Sequence, residues 1–276
     1  EAAKIAAAVF FCGYAAADPE RMRSFFKGFV PVFGLLGLLC GMIIIEPDVG
    51  TSIFIAGVIT LMLIVAGVRM THLLPFVVAA GGLAAYYALS HTEHVQVRLQ
   101  AWLHPERDPL GKGHQILQSL MALGSGNWTG TGLGRGQSKL YFLPEAHSDF
   151  IFPVLGEELG FLGACAVLLL YLALGFTGYR IMFRAKDRFG FLLAFTLTTY
   201  ILLQAAMNLA VVTAAMPTKG IPLPFLSAGG SSVLFTMAGV GMLVSVARGS
   251  ERGPCPEGES ASSSPAGAPA VMSSPA

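Results

Sequence analysis

The sequence predicts an all-α polytopic membrane protein with about seven transmembrane helices and one long extracytoplasmic loop. Of its 276 residues, 54% are hydrophobic and only 12% are charged, against roughly 25% charged in an ordinary soluble domain. The charges leave long windows without Asp, Glu, Lys or Arg, and about 20 such residues cross a bilayer core. These windows are residues 28–45, 49–68, 73–90, 159–179, 189–216 and 220–247, and a partial apolar stretch at 5–17 completes the seven.

The first element, the stretch at 5–17, is too short to span a membrane unless it extends upstream of Glu1. No initial Met and no basic region with a cleavage site precede it, so we expect a truncated chain that begins at the edge of a span. The composition excludes soluble globular, disulfide-rich secreted and disordered classes. The net charge of +1 leaves no broad basic field for nucleic acid.

The charges in the connections predict the orientation of the spans. Arg and Lys concentrate in alternate connections, and the positive-inside rule places those connections in the cytoplasm. The remaining connections are acidic or mixed, and they then share the outer face. The basic segments are 18–27, 69–72, 180–188 and the start of the tail, and the outer ones are 46–48, 91–148 and 217–219.

The first outer connection is a tight turn that carries Glu46 and Asp48, with Thr51 close behind. Two interpretations stay open for these acids. Asp48 and Thr51 are typical caps of the helix that follows. Alternatively, the two carboxylates shape a site on the outer face.

The connection at 91–148 is too long to be a passive link, since most connections span a handful of residues. It carries Arg98 and Lys139, and a glycine-rich run at 124–136. Backbone amides of such a run can cradle a phosphate. A turn-rich surface loop is the alternative interpretation of the same composition.

Asp149 stands at the mouth of a membrane helix, directly before an apolar run and ten residues ahead of the charge-free window at 159–179. Ionisable groups at membrane depth are costly and indicate function. A partly desolvated carboxylate there suits a general base. The alternative is a helix cap, in which Ser148 or Asp149 accepts the first free amides of the helix.

The segment at 216–232 holds three prolines and three glycines in an apolar setting, so it cannot form a continuous helix. Irregular backbone at membrane depth is tolerated only inside protein or along a cavity. The segment is therefore predicted to line a cavity on the outer side, where Lys219 supplies its charge and Ser231 a hydroxyl. Asn208 in the preceding span is a polar residue of the kind that joins neighbouring helices.

Three outer elements thus converge, and they combine cations for an anionic headgroup with acids for proton transfer. A lipid-linked anionic substrate fits this combination better than a small soluble one. Residues 1–248 are predicted to form this transmembrane domain. Residues 249–276, rich in Ser, Pro, Ala and Gly, are predicted to form a disordered cytoplasmic tail.

The chain resembles the SEDS family, the polytopic glycosyltransferases of bacterial cell-wall synthesis that include FtsW, RodA and SpoVE. The matching motifs are Glu1-Ala-Ala-Lys4, Glu46-Pro-Asp-Val-Gly-Thr51, Asp108-Pro-Leu-Gly, 115–126, 130–136, Leu143-Pro-Glu-Ala-His-Ser-Asp-Phe-Ile-Phe152, Gly156-Glu-Glu-Leu-Gly160 and 217–232. Family members have ten spans, so the resemblance implies that the seven here are the last seven. Pro-Thr-Lys-Gly at 217–220 is more similar to the division-type FtsW branch, or its sporulation relative, than to RodA. Ala228 and Pro153 depart from the family's usual Tyr and Ala.

The resemblance implies polymerisation of lipid II into glycan strands at the outer face of the cytoplasmic membrane. Asp149 corresponds to the family's essential aspartate and would be the general base, with Glu145 and His147 orienting it or tuning its pKa. Cations would stabilise the departing undecaprenyl pyrophosphate. Their candidates are Arg98, Lys139 and Lys219, with Ser231 as a further substrate contact.

Glu46 and Asp48 would support the cavity or hold an optional divalent cation, Mg²⁺ or Mn²⁺. The implied partner is a class B penicillin-binding protein, the transpeptidase, beside other membrane proteins of the division or elongation machinery. Two alternatives stay open: a transporter that flips lipid-linked precursors, and a division-complex scaffold without chemistry of its own.

Overall fold

The computed structural model describes residues 1–46, 48–90, 100–107, 112–136, 148–218 and 220–251, and all regular structure in these ranges is helical. This confirms the predicted all-helical class. The α-helices are α1 (Ala2–Ala17), α2 (Val30–Ile45), α3 (Val49–Val65), α4 (Met70–Ser90), α5 (Lys112–Ser125), α6 (Ile151–Arg184), α7 (Arg188–Val212) and α8 (Gly230–Glu251).

Four of the helical stretches are long and apolar enough to cross a membrane, against the seven spans that the sequence predicts. They are Phe25–Ile45, Ile151–Arg184, Arg188–Val212 and Gly230–Glu251, while Ala2–Ala17 and Gly50–Val65 are shorter apolar helices. The polytopic helical character is therefore confirmed, and the number of spans stays a prediction.

Helix α7 forms the centre of the bundle. Within its apolar window 67% of the residues are buried, against 17% for α6, and α7 packs against α1, α3, α6 and α8. Asp187 fixes its start, because the carboxylate accepts the backbone N–H of Gly190 at 2.7 Å. A helix buried on most sides can present polar side chains only to protein or to an internal cavity.

Two breaks interrupt the helices. The first is a kink inside α6 at Gly160, where φ is 68° and ψ is −168°, a conformation essentially restricted to glycine. The second is the irregular segment between α7 and α8, which the prolines of 216–232 predict correctly. Here α7 ends at Val212 and α8 begins only at Gly230.

The described structure corrects two boundaries. The windows at 189–216 and 220–247 extend beyond their helices, because residues on either side of Pro217 and Pro222 adopt no helix. The predicted loop at 91–148 contains the 14-residue helix α5, whose buried Ile116, Ser119 and Ala122 recur at a helical spacing. The tail from residue 252 lies outside the described residues.

Candidate functional site

A cavity of about 250 Å³ opens where the ends of α1, α2 and α3 meet the irregular segment. It brings together two connections that the sequence assigns to the outer face, the turn at 46–48 and the segment around Gly220. The residues that line it are Glu1, Ala3, Lys4, Ile43, Glu46, Asp48, Thr51, Phe54, Gly220, Ile221 and Pro222. Its wall therefore carries three carboxylates and one ammonium group among the described residues.

The ammonium group belongs to Lys4, which is 8% exposed. Its Nζ atom lies 2.8 Å from Oε1 of Glu1, and Oε2 of Glu1 accepts the hydroxyl of Tyr200 at 2.9 Å. Lys4 Nζ also lies 5.3 Å from the ring centroid of Phe54 and 5.7 Å from that of Tyr200. The opposite charge and the two ring faces together stabilise a cation that burial would otherwise disfavour.

Asp149 lies beside Gly220, one of the residues that line this cavity. A Cβ atom placed on Gly220 would lie 3.1 Å from Oδ2 of Asp149, so the carboxylate lies against a residue of the cavity wall. Helix α6 begins at Ile151, and its N-cap residue Phe150 makes no side-chain capping bond. Both interpretations of Asp149, the general base and the helix cap, therefore stay predictions.

Asn208 ties the backbone of Asp149 to the cavity wall. Its Nδ2 atom donates to the carbonyl oxygens of Asp149 and Ile221, both at 2.7 Å. Asn208 is 1% exposed, and its bond to Ile221 is buried, whereas its bond to Asp149 is partly buried. Because two carbonyls can be satisfied only by the NH₂ group, the orientation of the amide is fixed by its partners.

Two further side chains join the same segments. Gln204 Nε2 donates to the carbonyl oxygen of Pro222 at 2.9 Å. Ser227 donates to the carbonyl oxygen of Ser148 at 2.5 Å and accepts the N–H of Leu223 at 2.6 Å. We refer to Gln204, Asn208 and Ser227 as the polar strap, because they hold residues 148–149 against 221–223.

The structure supports both interpretations of Glu46 and Asp48, a helix cap and a part of the outer site. Asp48 Oδ1 accepts the N–H of Thr51 at 3.0 Å, so Asp48 does cap α3. Both Glu46 and Asp48 also line the cavity. Capping and lining are compatible, because the capping bond uses one carboxylate oxygen of Asp48.

The middle of the glycine-rich run packs on the kink of α6 through backbone hydrogen bonds. The N–H groups of Thr131 and Gly132 donate to the carbonyls of Glu157 and Glu158, and Phe161 and Leu162 donate back to Asn127 and Trp128. The kink leaves those backbone groups of α6 without helical partners, and the run satisfies them. The turn-rich alternative is thus supported at 130–132, where the backbone amides already donate to backbone carbonyls.

One predicted site residue of the described structure lies away from this cavity. Ser231 is exposed in the first turn of α8 and does not line the cavity. Arg98, Lys139, Glu145, His147 and Lys219 lie outside the described residues. Their roles stay predictions.

The sequence argument missed Glu1 and Lys4 as site residues. Their spacing of three on a helix signals an ion pair, but only the packing of α1 against α3 and α7 shows that the pair lines a cavity. Among the described residues no three His, Cys, Asp or Glu side chains cluster as a metal site. Glu46 and Asp48 thus offer two carboxylates, which suits a Mg²⁺ ion completed by substrate phosphates and water.

Comparisons with known proteins agree on one family. A family model described as cell cycle protein, of the FtsW, RodA and SpoVE type, matches residues 1–252. The chain is 40% identical over 242 residues to the probable peptidoglycan glycosyltransferase FtsW of Trichlorobacter lovleyi, covering 85% of this chain and 61% of that protein. It is 38% identical over 246 residues to stage V sporulation protein E of Bacillus subtilis, covering 89% and 67%.

Two solved structures share the fold. A chain from a peptidoglycan synthase complex matches with a TM-score of 0.70 at 24% identity, covering 91% of this chain and 69% of that one. An aspartate-to-alanine mutant of the rod shape determining protein RodA of Thermus thermophilus matches with a TM-score of 0.54 at 23% identity, covering 88% and 65%. The chain spans about three fifths to two thirds of the length of its relatives, 61% and 65% for two FtsW proteins.

Proposed function

Because the chain belongs to the FtsW, RodA and SpoVE family of cell cycle proteins, we propose that the protein is a peptidoglycan glycosyltransferase of cell division or cell-shape maintenance. It polymerises lipid II into glycan strands at the outer face of the bacterial cytoplasmic membrane. The observation that carries the proposal is the position of Asp149 beside the cavity residue Gly220. A Cβ atom added to Gly220 would lie 3.1 Å from Oδ2 of Asp149. The proposed base Asp149 therefore lies beside a cavity whose wall carries the acids Glu1, Glu46 and Asp48 and the cation Lys4.

In the reaction, Asp149 takes the proton from the 4-hydroxyl of the acceptor sugar. The acceptor oxygen forms a bond to the anomeric carbon of the lipid-linked donor, and the bond to undecaprenyl pyrophosphate breaks with inversion. The polar strap supports this role, because Asn208 and Ser227 hold the backbone of 148–149 in place. Positioning of the base relative to the acceptor is worth orders of magnitude in rate.

The pyrophosphate leaving group needs positive charge nearby. Lys4 is the cation of the cavity wall among the described residues, and its bond to Glu1 holds it in place at 2.8 Å. Lys139, Arg98 and Lys219 are the proposed further cations. Glu46 and Asp48 would hold a divalent cation, Mg²⁺ or Mn²⁺, which supplies charge neutralisation for the pyrophosphate.

The proposed partners are lipid II, the undecaprenyl-pyrophosphate-linked glycan and a class B penicillin-binding protein that supplies the transpeptidase. Other membrane proteins of the division or elongation machinery complete the assembly. The fold likeness to a chain of a peptidoglycan synthase complex supports this assignment. Division is favoured over elongation, because FtsW and stage V sporulation protein E are the relatives matched at 38–40% identity.

Two other functions are alternatives to the polymerase. A flippase would move lipid-linked precursors across the bilayer, and a scaffold would support synthesis by another enzyme. The polymerase is favoured because the acids and the Lys4 ammonium gather with Asp149 at one end of the helices, whereas a flippase needs a polar path to the other end as well.

The test uses the protein purified with its class B partner and reconstituted in vesicles, with the transpeptidase blocked. Glycan strands and lipid II translocation are measured side by side, and the partner alone serves as control. Strands that require the protein support the polymerase. Translocation without strands would instead identify a flippase, and strands made equally by the partner alone would identify a scaffold.

A further inference from the structure

An exposed apolar surface covers α5 and the loop after it. Leu120 and Met121 of α5 are 41% and 55% exposed, and Trp128 and Leu133 of the loop are 70% and 77% exposed. Ile116, Ser119 and Ala122 of α5 are buried, and α5 packs against α6. We refer to Leu120, Met121, Trp128 and Leu133 as the outer apolar surface.

The outer apolar surface continues onto the exposed face of α6. The ring of Trp128 contacts that of Phe161 edge-on, with 5.3 Å between centroids. Phe161 and Leu162 are 55% and 59% exposed, and the apolar exposure continues along the helix through Leu169 and Leu170. A helix of this length with so many exposed leucines faces lipid, so Trp128 borders a lipid-facing surface.

The position of Trp128 along α6 corresponds to the edge of a bilayer. Phe161 and Arg180 are separated by 19 helical positions, which is about 29 Å at 1.5 Å per residue. This equals the thickness of a hydrocarbon core, about 30 Å. With the basic end of α6 at the cytoplasmic boundary, Phe161 and its neighbour Trp128 lie at the outer boundary, where Trp is enriched in membrane proteins.

Charge distinguishes a lipid interface from solvent here. No Asp, Glu, Lys or Arg occurs from Gln115 to Gly134, although this segment lies in the predicted extracytoplasmic loop. We propose that the outer apolar surface is a lipid-binding surface that sits in the outer headgroup region of the bilayer. It would anchor α5 and the glycine-rich run beside the kink at Gly160.

Tryptophan fluorescence tests this proposal, because the 276-residue chain contains two tryptophans, Trp102 and Trp128. The full chain is reconstituted in phosphatidylcholine and phosphatidylglycerol vesicles as Trp102→Phe, which leaves Trp128 as the emitter. The matched control is Trp128→Phe, which leaves the half-buried Trp102, whose Nε1 donates to the carbonyl of Ala214 at 2.8 Å. Quenching is measured with lipids brominated near the headgroup or near the chain ends, and with aqueous iodide.

Trp128 is expected to be quenched by the headgroup-proximal bromine at least about twofold more than by the chain-end bromine, with little effect of iodide. Trp102 should respond less to both lipids. Iodide quenching of Trp128 without lipid quenching would show a water-facing surface and overturn the proposal. Protection from all quenchers would also overturn it, because the surface would then be covered by protein. The readout is independent of glycan synthesis, so it stands or fails separately from the proposed activity.

Discussion

The two helix breaks of this molecule satisfy their backbone hydrogen-bonding groups with different partners. At the kink of α6, main-chain groups of 126–132 bond to main-chain groups of 157–162. At the segment between α7 and α8, side chains bond to main-chain carbonyls, as Asn208 does to Asp149 and Ile221. Both arrangements satisfy backbone groups that a continuous helix would satisfy itself.

The backbone bonds at the kink of α6 pack two segments together, whereas the side-chain bonds of the polar strap position residues 148–149 beside the cavity. A backbone-to-backbone seam needs glycines, because a Cβ on Gly130 would overlap the carbonyl of Glu158, and it leaves no space for a ligand. The polar strap keeps its segments apart by the length of a side chain, next to a cavity of about 250 Å³. We therefore expect the seam to determine stability and the strap to affect both stability and activity.

The largest effect on stability is expected from Gly160→Ala. The φ of 68° strains any other residue, and the added Cβ would overlap the amide nitrogen of Gly130. The free energy of unfolding should fall by at least about 3 kcal/mol, measured by thermal unfolding in detergent. Gly124→Ala is the matched control, because nothing lies within 4 Å of its Cβ position. Equal stability of the two variants would contradict the glycine seam.

Asn208→Leu should have the next largest effect on stability and a larger effect on activity. It removes the donor from the buried carbonyl of Ile221 and from the partly buried carbonyl of Asp149, at a cost of about 2 kcal/mol. Strand synthesis per folded protein should fall at least about tenfold, because the base loses its position. Gln204→Leu, which loses only the bond to Pro222, should retain more activity. If both variants lose activity equally, the tie to Asp149 has no special role.

Ser227→Ala should have the smallest effect of the three. It removes the donor to Ser148 and the acceptor for Leu223, which together are worth about 1 kcal/mol net, and strand synthesis should fall severalfold. Thr177→Val is the comparison, because its exposed hydroxyl bonds only to Ala173 of its own helix at 2.8 Å. A wild-type rate for Ser227→Ala at unchanged protein yield would remove Ser227 from the strap.

The sequence predicts the second break and not the first. Prolines at 217, 222 and 224 act locally on φ and on hydrogen bonding, so their effect is visible in the sequence. Gly160 lies in an apolar stretch like other glycines, and the groups that satisfy its kink come from about 30 residues upstream. Such a pairing depends on tertiary contacts that a single sequence does not reveal.

The candidate site also contains residues that the sequence predicts and residues that only the structure reveals. Asp149 is predicted from its position before an apolar helix, and the described structure places it beside Gly220, a residue of the cavity that Glu46 and Asp48 also line. Lys4 belongs to one of the motifs that match the family, but the sequence gives it no role in a site, because an ion pair on a helix end is usually a solvated surface feature. The cavity becomes visible only when α1, α3 and the irregular segment pack together.

The central claim is that the Asp149 carboxylate acts as the base at the cavity edge, and lipid II polymerisation by Asp149→Asn tests it most directly. Asn keeps the shape of the side chain but cannot take the proton, so strand synthesis should fall at least about a hundredfold while the protein stays folded and bound to its partner. Asp187→Asn is the matched control, since Asp187 caps the start of α7 by accepting the N–H of Gly190. This variant should polymerise lipid II near the wild-type rate. Near-wild-type strand synthesis by Asp149→Asn would contradict the account.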